Sequence, residues 1–529
     1  MNAANPKYII FGSLLCCIAP TVFSQGYFWR NDIGGVFSNA SAACAASLGS
    51  KGLDYSHNES VPGYPMVGCH GYQPNRDDGA TSSYGSAAFF GGAGGGCGSQ
   101  ISQSGACVPN KNSGPPTNCG GSNPINLLTG YKYQPETDLP SSAAFALSIE
   151  RIYHWNTAKG VWRFNAQPSI VYMDHEDRKT VEVNRNNHKA YIFEGHPETG
   201  WTTDADAYVE LTSVADAAGG IMQWQLRLQD DSTELYSAEG KIQSIIYRNG
   251  KRKSFVYDIP GNRGGDGRNA TLDRVEDWLG NSLSYRYDSF TRISKITTSS
   301  GDAYQYAYDA NGMLEYVSFP DSTPSVSGTN PFGEDNPFKQ YHYESTDFPK
   351  ALTGITDENG VRYATWTYDN NGRAKSSEHS NSADKVTFDY DHIDDDLDRR
   401  VTATNKLGKN TTYHFESFLG VNKVTQVEGH ASQHCMAANK DYSYYADTGL
   451  LKTQTDWQGR ITRFEYNARG LETKRIEAKG TPEERIFLTE WHNDFNVKTK
   501  EVTPFVERVY GYDSEGRLIS RTSQPKVGQ

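Results

Sequence analysis

The amino-acid sequence predicts an all-β protein in which repeated antiparallel β-hairpins stack into a spiralling sheet or partial hollow shell. Three observations support this fold class. A Tyr-x-x-x-Gly motif recurs from residue 236 onward, strand-length segments alternate apolar and polar residues, and the chain has 33 Tyr but only 6 Met. This composition is typical of half-buried strands joined by turns, and no helix-length amphipathic period competes with it.

The first residues have the features of a secretory leader. The stretch from Tyr8 to Phe23 is the only long apolar run, and we predict a signal peptide over residues 1–24. A membrane anchor is the alternative, but the run is short for a bilayer span and contains Pro20. We therefore expect an exported protein, secreted, periplasmic or at the cell surface, with no stable membrane span after cleavage.

Residues 25–120 are rich in Gly, Ser and Cys and offer little apolar area for a core. Gly85 to Gly98 in particular has a loop-like composition. Because exported chains meet an oxidising environment, we predict a small disulfide-stabilised, loop-rich module followed by a linker. The spacing leaves the pairing of the cysteines open. The disulfide candidates are Cys44, Cys69, Cys97, Cys107, Cys119 and Cys435.

From Ile125 onward, strand-length segments alternate with Asp, Asn and Gly turns. We predict one domain over residues 121–205 and an open-ended repeat region over 206–529. Examples of predicted strands are Ser148 to Tyr153, Thr180 to Val183, Ala190 to Phe193, Trp224 to Leu228 and Gln243 to Tyr247.

The repeat has two alternating parts. The first is Tyr-x-x-x-Gly followed by a strand, with copies at Tyr236 to Gly240, Tyr308 to Gly312, Tyr368 to Gly372, Tyr445 to Gly449, Tyr466 to Gly470 and Tyr512 to Gly516. The second is an acidic or amide residue, two variable residues and Gly, then a strand ending in Tyr or Phe, as in 277–287, 357–368, 405–415 and 456–466. One unit is therefore about one hairpin long.

Each fixed position of the repeat has a physical reason. The glycines suit hairpin turns that need a positive φ, and the nearby Asn or Asp can hydrogen-bond to its own backbone. The Tyr ring can pack over a neighbouring hairpin while its hydroxyl finds a partner. Since one hairpin is only marginally stable, stacking many of them buries a shared face and predicts a long sheet.

These motifs resemble the YD-repeat (RHS) family, of the exported type, over roughly residues 120 to 525. Gly121 to Trp155 resembles the RHS-associated N-terminal domain, with Glu136-Thr137-Asp138 and a following Arg151 to Tyr153. The resemblance implies hairpins wound into a hollow shell. It also implies a role as the encapsulating scaffold of a toxin used in competition between bacteria, with a C-terminal toxin or a further shell segment as partner.

The sequence also departs from the family pattern. It contains neither the Asp-Pro-x-Gly-Leu segment that closes the family's core nor a variable toxic domain. Toxin activity and self-cleavage are therefore not carried over. We expect the shell to be open at its C-terminal end, with an exposed strand edge.

Composition and motifs argue against several other functions. The net charge is −12 and no basic run is present, so a nucleic-acid partner is not expected. No nucleophile elbow, zinc-protease, phosphate-loop or dinucleotide motif is present, so we predict no catalytic residue, cofactor or metal. The acidic residues between Asp389 and Asp398 are interpreted as a solvated loop rather than a calcium site, and His70 and His434 as surface residues rather than zinc ligands.

Aromatic residues support one alternative function. Tryptophans in or beside strands could bind sugar rings, which makes a cell-surface carbohydrate-binding or adhesion module the second hypothesis, and an envelope polysaccharide hydrolase a third without a motif. Packing between hairpins is the simpler explanation for most of them. The tryptophans concerned are Trp155, Trp162, Trp201, Trp224, Trp278, Trp366, Trp457 and Trp491.

Overall fold

The computed structural model describes residues 27–31, 36–37, 54–60, 66–72 and 81–91 as strands without their side chains, and then residues 124–526 with short gaps. The gaps are 157–158, 175–178, 188, 217–219, 259–270, 321–330, 334–335, 396–397 and 432–436. The chain divides into two compact units, Met1–Ser113 with His175–Asp177, and Gly114–Asp174 with Arg178–Gln529. The leader predicted over residues 1–24 lies outside the described residues.

The described strands of the first unit form one antiparallel sheet in the order β2-β1-β5-β4-β3. Its strands are β1 (Tyr27–Asn31), β2 (Val36–Phe37), β3 (Asp54–Ser60), β4 (Met66–Tyr72) and β5 (Thr81–Gly91). Part of the predicted loop at Gly85 to Gly98 is therefore strand. Its small residues allow extended backbone to pair closely, as Gly85 does with Cys69. Cys69 lies in β4 with its side chain not described, and Cys44, Cys97, Cys107, Cys119 and Cys435 lie outside the described residues.

The second unit starts with two four-stranded antiparallel sheets. The first, called the entry sheet, contains β6 (Ile125–Asn126), β7 (Tyr131–Leu139), β8 (Ile149–Asn156) and β9 (Lys159–Phe164). The second, called the cover sheet, contains β10 (Ser169–Asp174), β11 (Lys179–Asn184), β12 (Ala190–His196) and β13 (Gly200–Thr203).

All further described strands belong to one antiparallel sheet of 26 strands, the repeat sheet, in which each strand pairs with its neighbours in sequence. Its first half contains β14 (Glu210–Ala215), β15 (Ile221–Arg227), β16 (Thr233–Ser237), β17 (Ile242–Ile246), β18 (Arg252–Asp258), β19 (Thr271–Glu276), β20 (Ser282–Tyr287), β21 (Ile293–Thr298), β22 (Ala303–Tyr308), β23 (Leu314–Ser318), β24 (Phe338–His342), β25 (Gly354–Thr356) and β26 (Arg362–Tyr368).

Its second half contains β27 (Ala374–His379), β28 (Ala383–His392), β29 (Arg400–Asn405), β30 (Asn410–Phe418), β31 (Val421–Gly429), β32 (Ala438–Tyr444), β33 (Leu451–Thr455), β34 (Ile461–Tyr466), β35 (Glu472–Glu477), β36 (Arg485–Trp491), β37 (Lys498–Val502), β38 (Val506–Tyr512) and β39 (Leu518–Pro525). The sheet runs from β14 at one edge to β39 at the other, and every residue of β39 is exposed. The prediction of an all-β fold built from antiparallel hairpins is confirmed.

Alternation of side chains explains why these segments form strands with one buried face. Tyr304 and Tyr306 of β22 are buried, and Ile296 of β21 pairs directly with Tyr304. Gln305 lies between the two tyrosines on the other face, where it pairs with Lys295. The buried side is called the core face and the other side the outer face. Period-two alternation of this kind fixes the register, since a slip of one residue would move the apolar set into water.

The entry sheet packs on the core face of the repeat sheet. Ile125, Tyr153 and Trp155 belong to one buried cluster with residues of β19 to β31, for example Ile296 and Trp366. A smaller cluster joins the cover sheet to the first repeat strands, and its members are Ile170, Val181, Val183, Phe193, Leu211, Trp224, Leu226, Tyr236 and Ile242. Burying one such large apolar side chain stabilises the fold by about 1.5–3 kcal/mol, so these clusters hold both small sheets on the repeat sheet.

Helix is nearly absent from the described residues, in which a single 3₁₀ turn, Ser380–Ser382, interrupts the strands. None of the helical segments in that part of the chain has the length and apolar character that a membrane crossing requires.

Candidate functional site

The repeat turns share one hydrogen-bond pattern, for which Asp309 to Met313 is the example. The Asp309 N–H donates to the Met313 carbonyl at 2.8 Å, and the Gly312 N–H donates to the Asp309 carbonyl at 3.0 Å. The Asp309 oxygen Oδ1 accepts the N–H groups of Asn311 and Met313 at 2.9 and 2.7 Å. Gly312 has a φ of 79°, which glycine adopts without steric cost. The residue after the repeat Tyr is therefore the cap of the turn.

The same side-chain cap recurs along both rims of the repeat sheet. In each case one carboxylate or amide oxygen accepts the N–H groups two and four residues later in the chain. The capping residues are Asp277, Asp288, Asp357, Asp369, Asn405, Asp456, Asn467 and Asp513.

The repeat Tyr follows a β-bulge, which sequence analysis did not identify. The register of β22 against β23 shifts between Ala307 and Tyr308, and equivalent shifts precede Tyr236, Tyr368, Tyr466 and Tyr512. A bulge bends the strand and redirects a side chain. A sequence signal exists: the buried partners Leu314 and Val317 are three residues apart, whereas an unbroken strand would space them by two or four.

In three of the six copies, the hydroxyl of the repeat Tyr ties its hairpin to the segment before it. Tyr308 Oη donates to the Ile293 carbonyl at 2.7 Å, and Tyr368 Oη donates to the Leu352 carbonyl at 2.6 Å. Tyr512 Oη donates to the Lys498 carbonyl at 2.8 Å. Burial raises the pKa of Tyr308 and Tyr368, so these phenols stay protonated donors. The Tyr is thus both a packing group and a backbone clamp.

Three copies depart from this pattern. Tyr236 Oη donates to Glu234 Oε2 at 2.5 Å. Tyr445 lies in a longer turn, in which the Gly449 N–H donates to the Tyr445 carbonyl, and Tyr444 takes the place of the clamp by donating to the Val424 carbonyl at 2.8 Å. Tyr466 packs edge-to-face against Tyr445 at 6.2 Å between ring centroids. The repeat glycines with positive φ are Gly240, Gly312, Gly372, Gly449, Gly470 and Gly516.

The acidic and arginine motifs of the entry sheet meet in one buried cluster. Arg151 donates from Nε and Nη2 to the two carboxylate oxygens of Asp138, at 2.8 and 2.9 Å, and both side chains are 0–1% exposed. Tyr306 Oη donates to Asp138 at 2.9 Å, and Arg151 donates to Tyr341 Oη. Trp162 and Tyr341 lie on the guanidinium at 4.6 and 4.8 Å. A bidentate pair with aromatic stacking is the geometry that Arg suits better than Lys.

Two opposing effects act on the pKa of the buried Arg151 guanidinium. Burial alone would lower the pKa of Arg151, but the charge and hydrogen bonds of Asp138 hold that pKa well above its ordinary value. A second buried cation, Lys132, lies 4.1 Å from the centre of the Trp366 ring and donates to Gln134 Oε1 at 2.7 Å. Its burial lowers its pKa well below the ordinary value, with Glu136 opposing the shift. Sequence analysis missed Lys132, because a lysine on an alternating strand usually faces solvent.

Backbone contacts complete the anchoring of the entry sheet. Tyr153 Oη donates to the Lys350 carbonyl at 2.7 Å and accepts the Leu352 N–H at 3.0 Å. Trp155 Nε1 donates to the carbonyl of the repeat residue Gly372 at 2.7 Å. A Cβ at Gly160 would lie 2.2 Å from the Lys350 carbonyl, so only glycine allows the approach. The predicted Arg151 to Tyr153 motif is therefore a docking element for the repeat sheet.

The cover sheet has its own anchor. Arg185 forms an ion pair with Glu234, which also accepts from Tyr236, and these contacts hold the pKa of Arg185 above its ordinary range against the effect of burial. The Ile170 N–H donates to the Gly240 carbonyl at 2.8 Å. A Cβ at Gly240 would lie 1.8 Å from the Ile170 carbonyl oxygen. Gly240 is therefore needed both for the positive φ of the turn and for the close approach of β10.

Contacts between distant turns of the repeat sheet form a seam. The turn between β15 and β16 contacts the turn between β36 and β37, more than 260 residues later. Asp231 Oδ2 accepts the Asn496 N–H at 2.7 Å, and Asn496 Nδ2 donates to the Gln229 carbonyl at 3.0 Å. Arg227 donates to the Asp494 carbonyl and is paired with Asp231 at 2.9 Å. The repeat sheet therefore curves until its later turns touch its earlier ones.

The core face changes from apolar to charged along the repeat sheet. The residues two and five places after each repeat Gly lie on this face, and all of them except Ile245, which pairs with Glu234, lie opposite aromatic residues of the preceding strand. Leu314 and Val317 are 0–1% exposed, whereas the equivalent Arg475 side chain is 34% exposed. The pairs in chain order are Ile242 and Ile245, Leu314 and Val317, Ala374 and Ser377, Leu451 and Gln454, Glu472 and Arg475, and Leu518 and Arg521.

Part of the acidic segment lines an open cleft in which basic side chains lie beside the carboxylates. Asp394 pairs with Arg373 at 2.7 Å, and Asp398 pairs with Arg400. Together with Asp369, Asp389 and neighbours, Asp394 lines an open cleft. Among the residues that the structure describes, no three His, Cys, Asp or Glu side chains are arranged to hold a metal ion.

Most of the tryptophans pack between strands. Trp155, Trp224 and Trp366 are 0–2% exposed, Trp162 donates to Tyr343 Oη at 2.9 Å, and Trp491 donates to the Glu472 carbonyl at 2.9 Å. Trp201 packs on Trp224 and Trp278 on Tyr247. Trp457 is the exposed one of the set, at 43%, beneath Lys440.

No protein-family model matches the chain, and no curated protein sequence matches it. Among solved structures, the crystal structure of TcdB2-TccC3 without hypervariable C-terminal region is similar over 71% of this chain and 21% of that chain, at 12% identity and a TM-score of 0.36. A Photorhabdus luminescens Tc holotoxin pore is similar over 74% and 21%, at 12% identity and a TM-score of 0.27. The crystal structure of TcdB2-TccC3-TEV is similar over 71% of this chain and 22% of that chain, at 12% identity and a TM-score of 0.31. The chain spans about a fifth of the length of these structures.

Proposed function

We propose that this chain is a non-enzymatic scaffold of the YD/RHS type, a segment of a hollow shell that encloses another polypeptide. The observation that carries the proposal is the change along the core face. Where the entry and cover sheets pack, the face is apolar, and in β33 to β39 it carries charged and aromatic side chains. Glu472 and Arg475 occupy positions that are held elsewhere by Leu314 and Val317, and charged side chains are unfavourable in a closed hydrophobic core. They are favourable on a wall that faces a hydrated partner.

The partner that we propose is a C-terminal toxin or a further shell segment, as in the family that the repeat resembles. Aromatic and arginine side chains alternate on the polar part of the core face. Arg475 lies 4.5 Å from the Phe487 ring centre, and Arg521 lies 5.9 Å from that of Tyr510. Such cation–π pairs place positive charge and aromatic surface together on the wall that would face the partner. Export to the envelope or beyond is part of the proposal and rests on the leader-like residues.

No enzymatic role is proposed. The buried ionisable groups for which a catalytic role could be considered, Arg151, Asp138 and Lys132, all hold the entry sheet on the repeat sheet. The carbohydrate-binding hypothesis has the exposed Trp457 in its favour. One indole beside one lysine is a small platform for a sugar, so the scaffold is the function that we prefer.

Co-purification tests the scaffold. The chain is produced together with the polypeptide encoded directly downstream of it, and we expect the two to associate and the downstream segment to resist protease. Charge reversal on the core face, Arg475→Glu with Arg521→Glu, should weaken the association. The matched control is Arg463→Glu on the outer face of β34, which pairs with Glu465 at 3.5 Å and should leave it unchanged. No association of the wild-type chain, or equal loss in the control, would contradict the proposal.

A further inference from the structure

Three polar side chains of strand β7 form a buried row in direct contact. Lys132, Gln134 and Glu136 are two residues apart, so they lie on the same face of the strand. Lys132 is 0% and Gln134 9% exposed, and the Glu136 side chain is 7% exposed. Lys132 Nζ donates to Gln134 Oε1 at 2.7 Å, and Gln134 Nε2 donates to Glu136 Oε1 at 2.8 Å. An amine, a carboxamide and a carboxyl group are therefore joined in one line.

The amine of the row is closed off from solvent. Lys132 Nζ also donates to the carbonyl oxygens of Tyr133 at 2.5 Å and Pro124 at 3.3 Å, and it lies 4.1 Å from the centre of the Trp366 ring. Burial lowers the pKa of Lys132 well below its ordinary value, although the charge of Glu136 opposes the shift. A lowered pKa favours the neutral amine, which carries the lone pair that a nucleophile needs.

The carboxamide carbon lies within reach of this amine. A C=O bond is about 1.2 Å long. The 2.7 Å between Lys132 Nζ and Gln134 Oε1 therefore places Gln134 Cδ less than about 4 Å from Nζ. Reacting atoms held at about 3–3.5 Å with their orbitals aligned react as parts of one molecule, without the entropy loss of an encounter. A small rotation of either side chain produces this geometry.

We propose that Lys132 and Gln134 condense to an isopeptide bond within β7, with Glu136 as the group that transfers the proton. The lone pair of Nζ attacks Gln134 Cδ, so the Nζ–Cδ bond forms and the Cδ–Nε2 bond breaks. The carboxyl group of Glu136 accepts the proton that Nζ loses and delivers a proton to Nε2, which leaves as ammonia. The reaction consumes no oxidant, reductant or cofactor, and each chain undergoes it once.

Glu136 is positioned for this proton transfer. Its Oε1 already accepts a hydrogen bond from the leaving nitrogen, Gln134 Nε2, which lies 3.4 Å from the Pro135 carbonyl as well. Its Oε2 pairs with Lys339 at 3.3 Å, so Oε1 remains directed at the carboxamide. A carboxyl group within hydrogen-bond reach of the leaving group is the geometry of general acid–base catalysis.

The product removes an ionisable amine from the interior of the fold. A free amine at Lys132 must either carry a charge there or lose its proton, and burial of the charged form is unfavourable. The secondary amide is neutral at every pH. The packing of the Lys132 chain against Trp366 then no longer depends on protonation. This inference is independent of the proposed scaffold function.

Tryptic peptide mapping of the full chain by mass spectrometry, after reduction and alkylation, tests the proposal. A free Lys132 gives two peptides, 112–132 and 133–151. Trypsin does not cleave after an acylated lysine. We therefore expect one peptide, 112–151, that is lighter by one ammonia molecule, about 17 Da, with fragment ions that place the loss within residues 132–134. Two separate peptides of unshifted mass from the wild-type chain would overturn the proposal.

Variants of the carboxyl group test the role of Glu136. Glu136→Gln keeps the shape of the side chain but cannot transfer the proton, so the linked peptide should form more slowly by at least about a hundredfold. Glu136→Asp retains a carboxyl group and should restore part of the rate; it also serves if circular dichroism shows that Glu136→Gln does not fold. The matched control, Glu150→Gln at an exposed position of β8, should form the bond as the wild-type chain does.

Two outcomes of the variant series would contradict the assignment. One is bond formation at the wild-type rate in both Glu136 variants, and the other is an equal loss of the linked peptide in Glu150→Gln. Lys132→Arg keeps a cation but removes the amine, so it should give the two separate peptides at unshifted mass. A linked peptide in Lys132→Arg would show that the loss of ammonia arises at a different residue.

Discussion

At the residue scale, polar side chains are used as backbone partners and as buried clamps. The Asp or Asn after the repeat Tyr closes a turn by accepting two N–H groups, and in three copies the Tyr hydroxyl donates to a carbonyl of the segment before it. The most completely buried ion pair among the described residues is Arg151–Asp138, whose side chains are 0–1% exposed. Burying such a pair costs desolvation, so its effect depends on complete pairing.

Removing one member of that pair should be strongly destabilising. We expect Arg151→Met to lower the free energy of unfolding by about 3–5 kcal/mol, because Asp138 would remain buried and uncompensated. The double variant Arg151→Met with Asp138→Leu should recover much of the loss. Urea unfolding followed by tryptophan fluorescence measures both. Arg460→Met, which removes an exposed ion pair with Asp456, is the control and should change stability little; a similar loss in the control would contradict the explanation.

At the scale of elements, the hairpin is the repeating unit of the sheet. Some of its turns only connect two strands, whereas others also contact another part of the chain. Both rims have capped turns with a glycine of positive φ. The glycines differ in what lies against them: nothing lies within 4 Å of a Cβ built at Gly280, whereas Ile170 lies against Gly240 and Phe495 against Gly516. Turns of the same geometry thus differ in whether they also serve as docking points for other elements.

A glycine pair separates these two uses. Gly240 and Gly280 have φ of 81° and 85°, so alanine should incur about the same 1–2 kcal/mol conformational cost at both. Gly240→Ala should cost more, because its Cβ would lie 1.8 Å from the Ile170 carbonyl oxygen and the cover sheet must move. Chemical unfolding of the two variants measures the difference. Equal losses would show that docking at Gly240 adds nothing to the turn's own requirement.

At the scale of the whole second unit, the sheet is long enough to contact itself. Asp231 is the central residue of the seam, since its carboxylate is 2% exposed and is shared by Arg227, Arg248 and the Asn496 N–H. Asp231 also has a φ of 64°, a conformation that is unfavourable for most residues other than glycine. Asp231 therefore combines a left-handed turn position with the side-chain contacts of the seam.

Asp231→Gly distinguishes a role in the seam from a role in the local turn. Glycine relieves the strained φ, so a residue needed only for its turn would be replaced without loss. We expect instead faster amide hydrogen exchange at residues 493–497, by about tenfold, because a hydrogen bond to a charged group contributes about 1.5–3 kcal/mol. Hydrogen-exchange mass spectrometry measures this. Unchanged exchange there would show that the seam does not depend on Asp231.

The sequence by itself determined the all-β class, the antiparallel hairpins and the turn positions, because period-two alternation and glycine and aspartate chemistry act within a few residues. For this reason the predicted strand at Ala190 to Phe193 lies in β12, and the one at Gln243 to Tyr247 matches β17 to within one residue at each end. Only the tertiary structure decided that Arg151 pairs with Asp138 beneath Tyr341, that Tyr308 follows a bulge, and that Asp231 meets Asn496. These contacts depend on how far the sheet twists and curves over many strands, a sum of small rotations that no local pattern of residues records.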